Sequence, residues 1–321
     1  MDIYINETNL HSFLNETDNE LFSDCVKLLK RQLNVHFNFS KSKLKENDKF
    51  MSLARKLTEG VGNTETSFDN NFPSGSLKAN TFNNFNDTQL SSVFWIDNEE
   101  VSKLKNTGSV IVAEPGEEIS TIKGLFFNQD DYLFEKKYRI GDKGFEKWSD
   151  ISNITLPLTD IVIADPYLFA KKDGDDTIKN TIDCLTNLSS KSFVRVNAVV
   201  FINPAYTTYT DDEIKIAIRK GLKDSTGIKP NVTIIKTRKG HDRTILTNYK
   251  RVYSGDTFNY WNDKGVLLSK GVEIAFSSLA NSDNHTLFNS LITDLQSVIN
   301  FNKQNKTEYN LGDKVSNYLT F

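Results

Sequence analysis

The sequence predicts an α/β protein, and three observations carry that prediction. From Leu156 onward, short apolar runs alternate with segments whose apolar residues recur at helical spacing. Two of the runs, residues 159–169 (TDIVIADPYLF) and 193–202 (FVRVNAVVFI), are nearly continuous rather than alternating, as strands buried on both faces are. Between them and the next run stands a helix start. Thr210 and Glu213 are three residues apart, so the hydroxyl and the carboxylate can each satisfy a backbone N–H that the first turn leaves free. An α/β sandwich with helices on both faces is expected for the C-terminal half, preceded by a mixed α/β N-terminal region.

Taken in order, residues 2–6 read as a short strand. A capping box, Thr17 with Glu20, then opens a helix whose stripe is Leu21, Phe22, Cys25, Val26, Leu28, Leu29 and Leu33. A weaker helix covers residues 48–57. Residues 60–91 are rich in Asn, Ser, Thr and Gly, and the spread of Phe68, Phe72, Phe82 and Phe85 reads as an irregular segment pinned by aromatics, with a mobile loop as the alternative. Strands are expected at 93–96, 109–114, 124–127 and 132–140, with a helix at 98–106; Trp148 closes this region.

The regular part follows. The strand at 159–169 ends at Pro166, and a helix over 176–188 carries Ile178, Ile182, Leu185 and Leu188. The strand at 193–202 meets Pro204. The capped helix carries Ile214, Ala217, Ile218 and Leu222 and stops at Gly227 and Pro230. Strands are expected at 231–237, at 242–247 paired with 251–254, and at 272–276. A C-terminal helix holds Leu287, Leu291, Leu295, Val298 and Ile299. The domain boundaries read as 1–155, a region of unassigned role, 156–303 as the sandwich, and 304–321 as a tail that either closes on the body or frays.

Composition narrows the function. A net charge of -3 argues against adhesion of the whole surface to nucleic acid or anionic lipid, and leaves room for a local basic patch. No apolar run nears the ~20 residues that span a bilayer. The start MDIYINETNL carries acids and lacks the basic and apolar regions of a signal peptide, so a cytoplasmic location is expected. Cys25 and Cys184 lack metal spacing and read as buried thiols. No cofactor or metal site is indicated.

Chemistry concentrates in residues 236–261, KTRKGHDRTILTNYKRVYSGDTFNYW. His241 and Arg243 point to one face of an extended chain, because side chains alternate with period two. Lys236, Arg238, Lys239 and Arg251 surround them. A nucleophile or proton carrier beside a fixed guanidinium suits a phosphate. Set against this, the KTRK run can be a solvated strand edge and His241 a turn residue. Asp165, before a proline at a strand end, stands where α/β sites collect, though a turn role explains it too. Tyr260 and Trp261 read as core aromatics, or as stacking surfaces if exposed.

The spacing His241–x–Arg243–x4–Asn248–x6–Gly255 resembles the phospholipase D superfamily, whose signature is His–x–Lys–x4–Asp–x6–Gly–Ser–x–Asn. The resemblance implies a phospholipase-D-like α/β sandwich in the C-terminal half, with His241 attacking phosphorus and Arg243 holding phosphate oxygens. Glu273 resembles an acid that follows the motif in several nucleases of that superfamily. Arg replaces Lys, Asn replaces Asp, and Gly255 is followed by Asp256, Thr257, Phe258 and Asn259, so the serine is missing and the asparagine comes one residue late. One motif is visible where active members bring two together; His11, His36 and His285 have no Lys or Arg two residues on. With the later run FNYW, the pattern is similar to the phospholipase-D-like C-terminal domain of microtubule-interacting-and-trafficking proteins and its bacterial relatives, over roughly residues 156–280.

Three functions are therefore expected. The first is a phosphate- or phosphodiester-binding protein, with nucleic acid favoured over anionic lipid, gripping its ligand through Lys236, Arg238, Lys239 and Arg243; the bacterial relatives imply a conflict or defence role. The second is a homodimeric nuclease or phosphodiesterase, with His241, Arg243, Asn248 and Glu273 as its catalytic set. The third is a scaffold that meets a protein partner through residues 1–155.

Overall fold

The computed structural model describes residues 1–60, 65–68, 90–97, 105–106, 108–125, 134–171, 176–193, 195–239, 242–305 and 309–321. His241, Phe72, Phe82, Phe85, most of the helix expected at 98–106 and parts of the strands expected at 124–127 and 132–140 lie outside the described residues. The protein is mixed α/β. The chain divides into two compact units, Met1–Phe134 with Leu279–His285, and Glu135–Ser278 with Thr286–Phe321.

Among the described residues, the first unit holds a five-stranded sheet. Its strands are β1 (Asp2–Ile5), β2 (Asn34–Phe37), β3 (Thr66–Ser67), β4 (Val93–Trp95) and β5 (Ile111–Ala113), in the order β3-β2-β1-β4-β5. Every pairing is parallel. Parallel neighbours need a crossover between them, so the strands are separated by long connections. Helix α1 (Glu7–Asn15) starts directly after β1. The Asn6 side chain caps it by accepting the Asn9 N–H at 2.8 Å, and Leu10, Phe13 and Leu14 form its buried stripe. Neither α1 nor β2 is anticipated from the sequence.

Helix α2 (Phe22–Arg31) buries Cys25, Leu28 and Leu29, and α3 (Asp48–Thr58) follows. The Thr17–Glu20 capping box does not form. Asn19 accepts the Leu21 N–H at 3.0 Å in a local turn, which moves the helix start to Phe22. Phe68 stacks on Phe37 at 5.2 Å. Helix α4 (Glu118–Lys123) comes after β5.

The second unit holds eight strands among the described residues: β6 (Glu135–Arg139), β7 (Asp160–Ala164), β8 (Asn197–Ile202), β9 (Asn231–Lys236), β10 (Thr244–Thr247), β11 (Lys250–Ser254), β12 (Glu273–Ser278) and β13 (Asn310–Gly312). Their order is β13-β9-β8-β7-β10-β11-β12-β6. The β7–β8–β9 run is parallel and the other pairings are antiparallel. Every residue of β7 and β8 is buried, which explains their continuous apolar sequence.

Helices α5 (Ile178–Leu188) and α6 (Asp211–Thr226) make the two crossovers and pack on each other. At Gly221 the helices come so close that a Cβ would sit 2.3 Å from Ile182 Cγ2. The Thr210–Glu213 capping box forms as expected, and Gly227 ends α6 at φ 73° in the left-handed region. The long C-terminal helix, α7 (Ser282–Gln304), buries Leu295, Val298 and Ile299.

One boundary differs from expectation, and the tail takes the first of its two expected courses. The division falls at 134/135 rather than 155, because β6 adds to the second sheet by pairing with β12. The tail closes on the body: β13 pairs with β9, and Asp160 Oδ1 accepts from Ser316 Oγ and the Asn317 N–H, both at 2.8 Å.

Candidate functional site

Strand direction builds the site. β7 runs antiparallel to β10, with Ala164 opposite Thr244, so the residue after β7 and the residue before β10 meet at one end of the sheet. Those residues are Asp165 and Arg243. β11 brings the chain back to the same end, where the Ser254 N–H donates to the Arg243 carbonyl at 3.1 Å. Gly255 therefore joins Asp165 and Arg243 through sheet register alone.

Asp165 is fully buried. Its Oδ2 accepts from Thr257 Oγ1 at 2.7 Å and the Phe258 N–H at 2.8 Å, and its Oδ1 accepts the Tyr167 N–H at 2.9 Å. Burial pushes this carboxyl above the usual carboxylate range, against the pull of those donors and of the Arg243 charge. With three donors fixed on it, Asp165 holds the 256–259 segment in place. Asn259 then donates from Nδ2 to the Tyr167 carbonyl at 2.6 Å and the Ala170 carbonyl at 3.4 Å. Its Oδ1 is buried and has no hydrogen-bond partner.

Arg243 donates from Nη1 to the Gly255 carbonyl at 3.4 Å, and its guanidinium lies over the Tyr167 ring, 5.7 Å from the centroid. Its Nε is buried without a partner. Tyr167 in turn stacks on Tyr206, with centroids 4.5 Å apart and planes at 27°. A cleft of about 260 Å³ opens here, lined by Tyr167, Lys171, Arg243, Asp256, Thr257 and Asn259 among others. Lys171 Nζ is 3.1 Å from Asp176 Oδ1.

The residues singled out from the sequence do not all gather at this cleft. Arg243 is in it and Gly255 adjoins it. Lys236, at the end of β9, gives its charge to Asp211 at 2.7 Å. Arg238 and Lys239 are exposed beyond β9, and Lys239 Nζ rests over the Phe301 ring at 5.2 Å. Glu273 lends its backbone carbonyl to the Gly255 N–H at 3.1 Å, while its carboxylate pairs with Lys137 at 3.4 Å.

Asn248 is at the opposite end of β10 from Arg243, fully buried, where its Oδ1 accepts the Thr159 N–H at 2.9 Å. Four intervening strand residues separate the two by about 16 Å at the ordinary strand rise. Tyr260 is in the core and donates its hydroxyl to Ser254 at 2.6 Å, and Trp261 packs against Phe145, Trp148 and Tyr260.

Tyr167, Lys171 and Tyr206 are not singled out by the sequence, while Thr257 and Asn259 enter it only as departures from the signature after Gly255. The available signal was the Asp165-Pro166-Tyr167 turn at the end of a buried strand. The arrangement offers an anion a guanidinium with free donors, and offers a hydrogen-bond donor the Asn259 Oδ1. Asp165 organises the cleft, because its oxygens are already occupied by donors. Among the described residues no group of three or more His, Cys, Asp or Glu is placed to hold a metal ion. No described helix is long and apolar enough to cross a membrane.

No protein-family model matches the chain, and no curated protein matches it. Among solved structures, TrmBL2, an archaeal chromatin protein described as showing a novel mode of DNA binding, aligns at 9% identity and a TM-score of 0.29, over 62% of this chain and 60% of that one. Phosphatidylserine synthase of Haemophilus influenzae Rd KW20 aligns at 12% identity and a TM-score of 0.24, over 51% of this chain and 35% of that one. Similarity at this level assigns neither family nor activity.

Proposed function

We propose that the cleft at the shared end of β7 and β10 binds a phosphate of a nucleic-acid strand. One observation carries the reading. Arg243 lines the cleft and keeps a charged N–H donor, Nε, buried and unsatisfied. A charged donor withdrawn from water without an acceptor is costly, and an anionic oxygen relieves that cost. Arginine suits the task, since its planar fork can grip two phosphate oxygens where lysine offers a point charge. The grip belongs to Arg243; Lys171 on the same wall pairs with Asp176, as Lys236 does with Asp211.

The test is fluorescence anisotropy of the full chain with a labelled oligonucleotide at falling salt, because phosphate contacts strengthen as counterions are diluted. Arg243→Ala is expected to weaken binding tenfold or more, in line with ~1.5–3 kcal/mol for a hydrogen bond to a charged group. Arg243→Lys recovers part of it. Absence of oligonucleotide binding by the wild-type chain at low salt refutes the proposal, and capture of anionic vesicles in its place redirects it to lipid. Cleavage of the oligonucleotide, lost in His241→Ala, would make the protein a nuclease rather than a binder.

A further inference from the structure

We infer that the ligand of this cleft is single-stranded nucleic acid, with an unpaired base stacked on Tyr206. The inference rests on the phosphate reading above and adds to it what recognises the rest of the ligand.

Tyr206 is 45% exposed, and its backbone is held in place. It lies in the turn after β8, where the Ala205 N–H donates to Asn203 Oδ1 at 2.9 Å and the Tyr206 N–H to the Asn203 carbonyl at 3.1 Å. The Thr208 N–H then donates to the Phe169 carbonyl at 3.0 Å. Tyr167 supports the ring from within by stacking, and carries the Arg243 guanidinium as well. A cation, a supporting ring and a half-open ring therefore stand in contact on one surface. Such a row matches a nucleotide strand, which alternates anionic phosphates with flat bases. Stacking of this kind needs a free base face. A duplex covers its base faces and shows a protein only edges and backbone, whereas single strands expose them.

A second group points the same way. Asn259 Oδ1 is an acceptor, because Nδ2 is fixed by two carbonyls, those of Tyr167 and Ala170, that require a donor. Asn259 lines the cleft, and its Oδ1 is buried and has no partner. A fully ionised phosphate cannot donate to it. A base amine or a sugar hydroxyl can, so the pocket asks for a ligand that carries a donor as well as an anion.

Three fluorescent probes of equal length separate the possibilities: single-stranded oligodeoxyadenylate, the same strand made abasic, and its duplex. The full chain is expected to bind the single strand about tenfold or more tighter than the abasic strand, the size of one base–aromatic contact, and tighter than the duplex. Tyr206→Ala should lower single-strand affinity to the abasic level and leave the abasic affinity unchanged. Tyr206→Trp should keep the preference. The half-exposed position lets the variants fold, which a thermal melt checks.

Equal binding of abasic and base-bearing strands, unchanged binding by Tyr206→Ala, or preference for duplex overturns the inference. Where those results come with binding lost in Arg243→Ala, the phosphate reading survives alone. No binding of any probe by the wild-type chain removes both.

Discussion

Glu118 in the first unit and Asp165 in the second are fully buried carboxylates that follow the C-terminal end of a strand, and burial raises the pKa of each. Their partners differ. Glu118 accepts from Asn9 Nδ2 at 2.8 Å, Ser12 Oγ at 3.2 Å and the Gly116 N–H at 2.8 Å, so it ties α1 to the start of α4. Asp165 holds a loop, and that loop forms one wall of an open cleft. Strand direction explains the contrast. In an all-parallel sheet the strand ends are surrounded by other strand ends and by helix starts. In the second unit the antiparallel β10 delivers a strand start, with Arg243 just before it, to the end of β7. The same buried acid is thus a packing device in one unit and a scaffold for a site in the other.

The largest expected effect tests that contrast. Asp165→Ala and Glu118→Ala each strand three donors and should each lose about 3 kcal/mol of stability. Binding separates them. The milder Asp165→Asn should release the 256–259 wall and lose the oligonucleotide, whereas Glu118→Gln should bind it normally. Equal loss of binding in Glu118→Gln, measured by the same anisotropy titration, would dissolve the distinction between the two acids.

An intermediate effect belongs to the second unit. Lys250 is buried on β11, donates to the Ile154 carbonyl, and has its pKa lowered to about 7, first by desolvation and then by Lys191. The unfolded lysine holds its proton up to about pH 10.4. Between those values the unfolded state binds more protons, so this lysine's contribution makes stability rise with pH from about 7 to about 10. Lys250→Met should stabilise the second unit by roughly 2–4 kcal/mol at pH 6, with the gain shrinking toward pH 10. Hydrogen exchange of the β7–β8 amides at two pH values reads it, and a flat profile in the wild-type chain contradicts it.

The smallest effect compares caps. Asn6→Ala in the first unit and Thr210→Ala in the second should each cost about 1 kcal/mol, seen as faster exchange confined to α1 or α6. Thr210 should cost more, because its hydroxyl also donates to Glu213 Oε2 at 2.8 Å.

What the sequence made legible follows from how local each signal is. The buried strands β7, β8 and β9 and the Thr210 box are written in consecutive residues, and they form where expected. The Thr17 box fails because Asn19, three residues before the helix, offers a competing local bond. Arg243 could be placed at a sheet end from the pattern. Its separation from Asn248 was also readable, since four residues in a strand span most of the sheet's width. Tyr167, Tyr206 and Asn259 were not readable as a set. They come from three different connections, and only the strand order brings them together.

The anchoring of the tail on Asp160 has a consequence for how the second unit is made. The middle strand of its sheet is closed by Ser316 and Asn317, which lie 156 and 157 residues further along the chain. The unit is also interrupted by Leu279–His285, which belongs with the first. Contacts so distant in sequence slow folding, because the loop between them must be closed before they reward it. The first unit draws nearly all of its chain from the first 134 residues and can collapse early during synthesis, whereas Asp160 of β7 lacks these partners until residues 316 and 317 arrive. Chaperone dependence, if the protein has any, should therefore trace to the second sheet, and a chain stalled before residue 316 should expose that sheet to protease while the first stays protected.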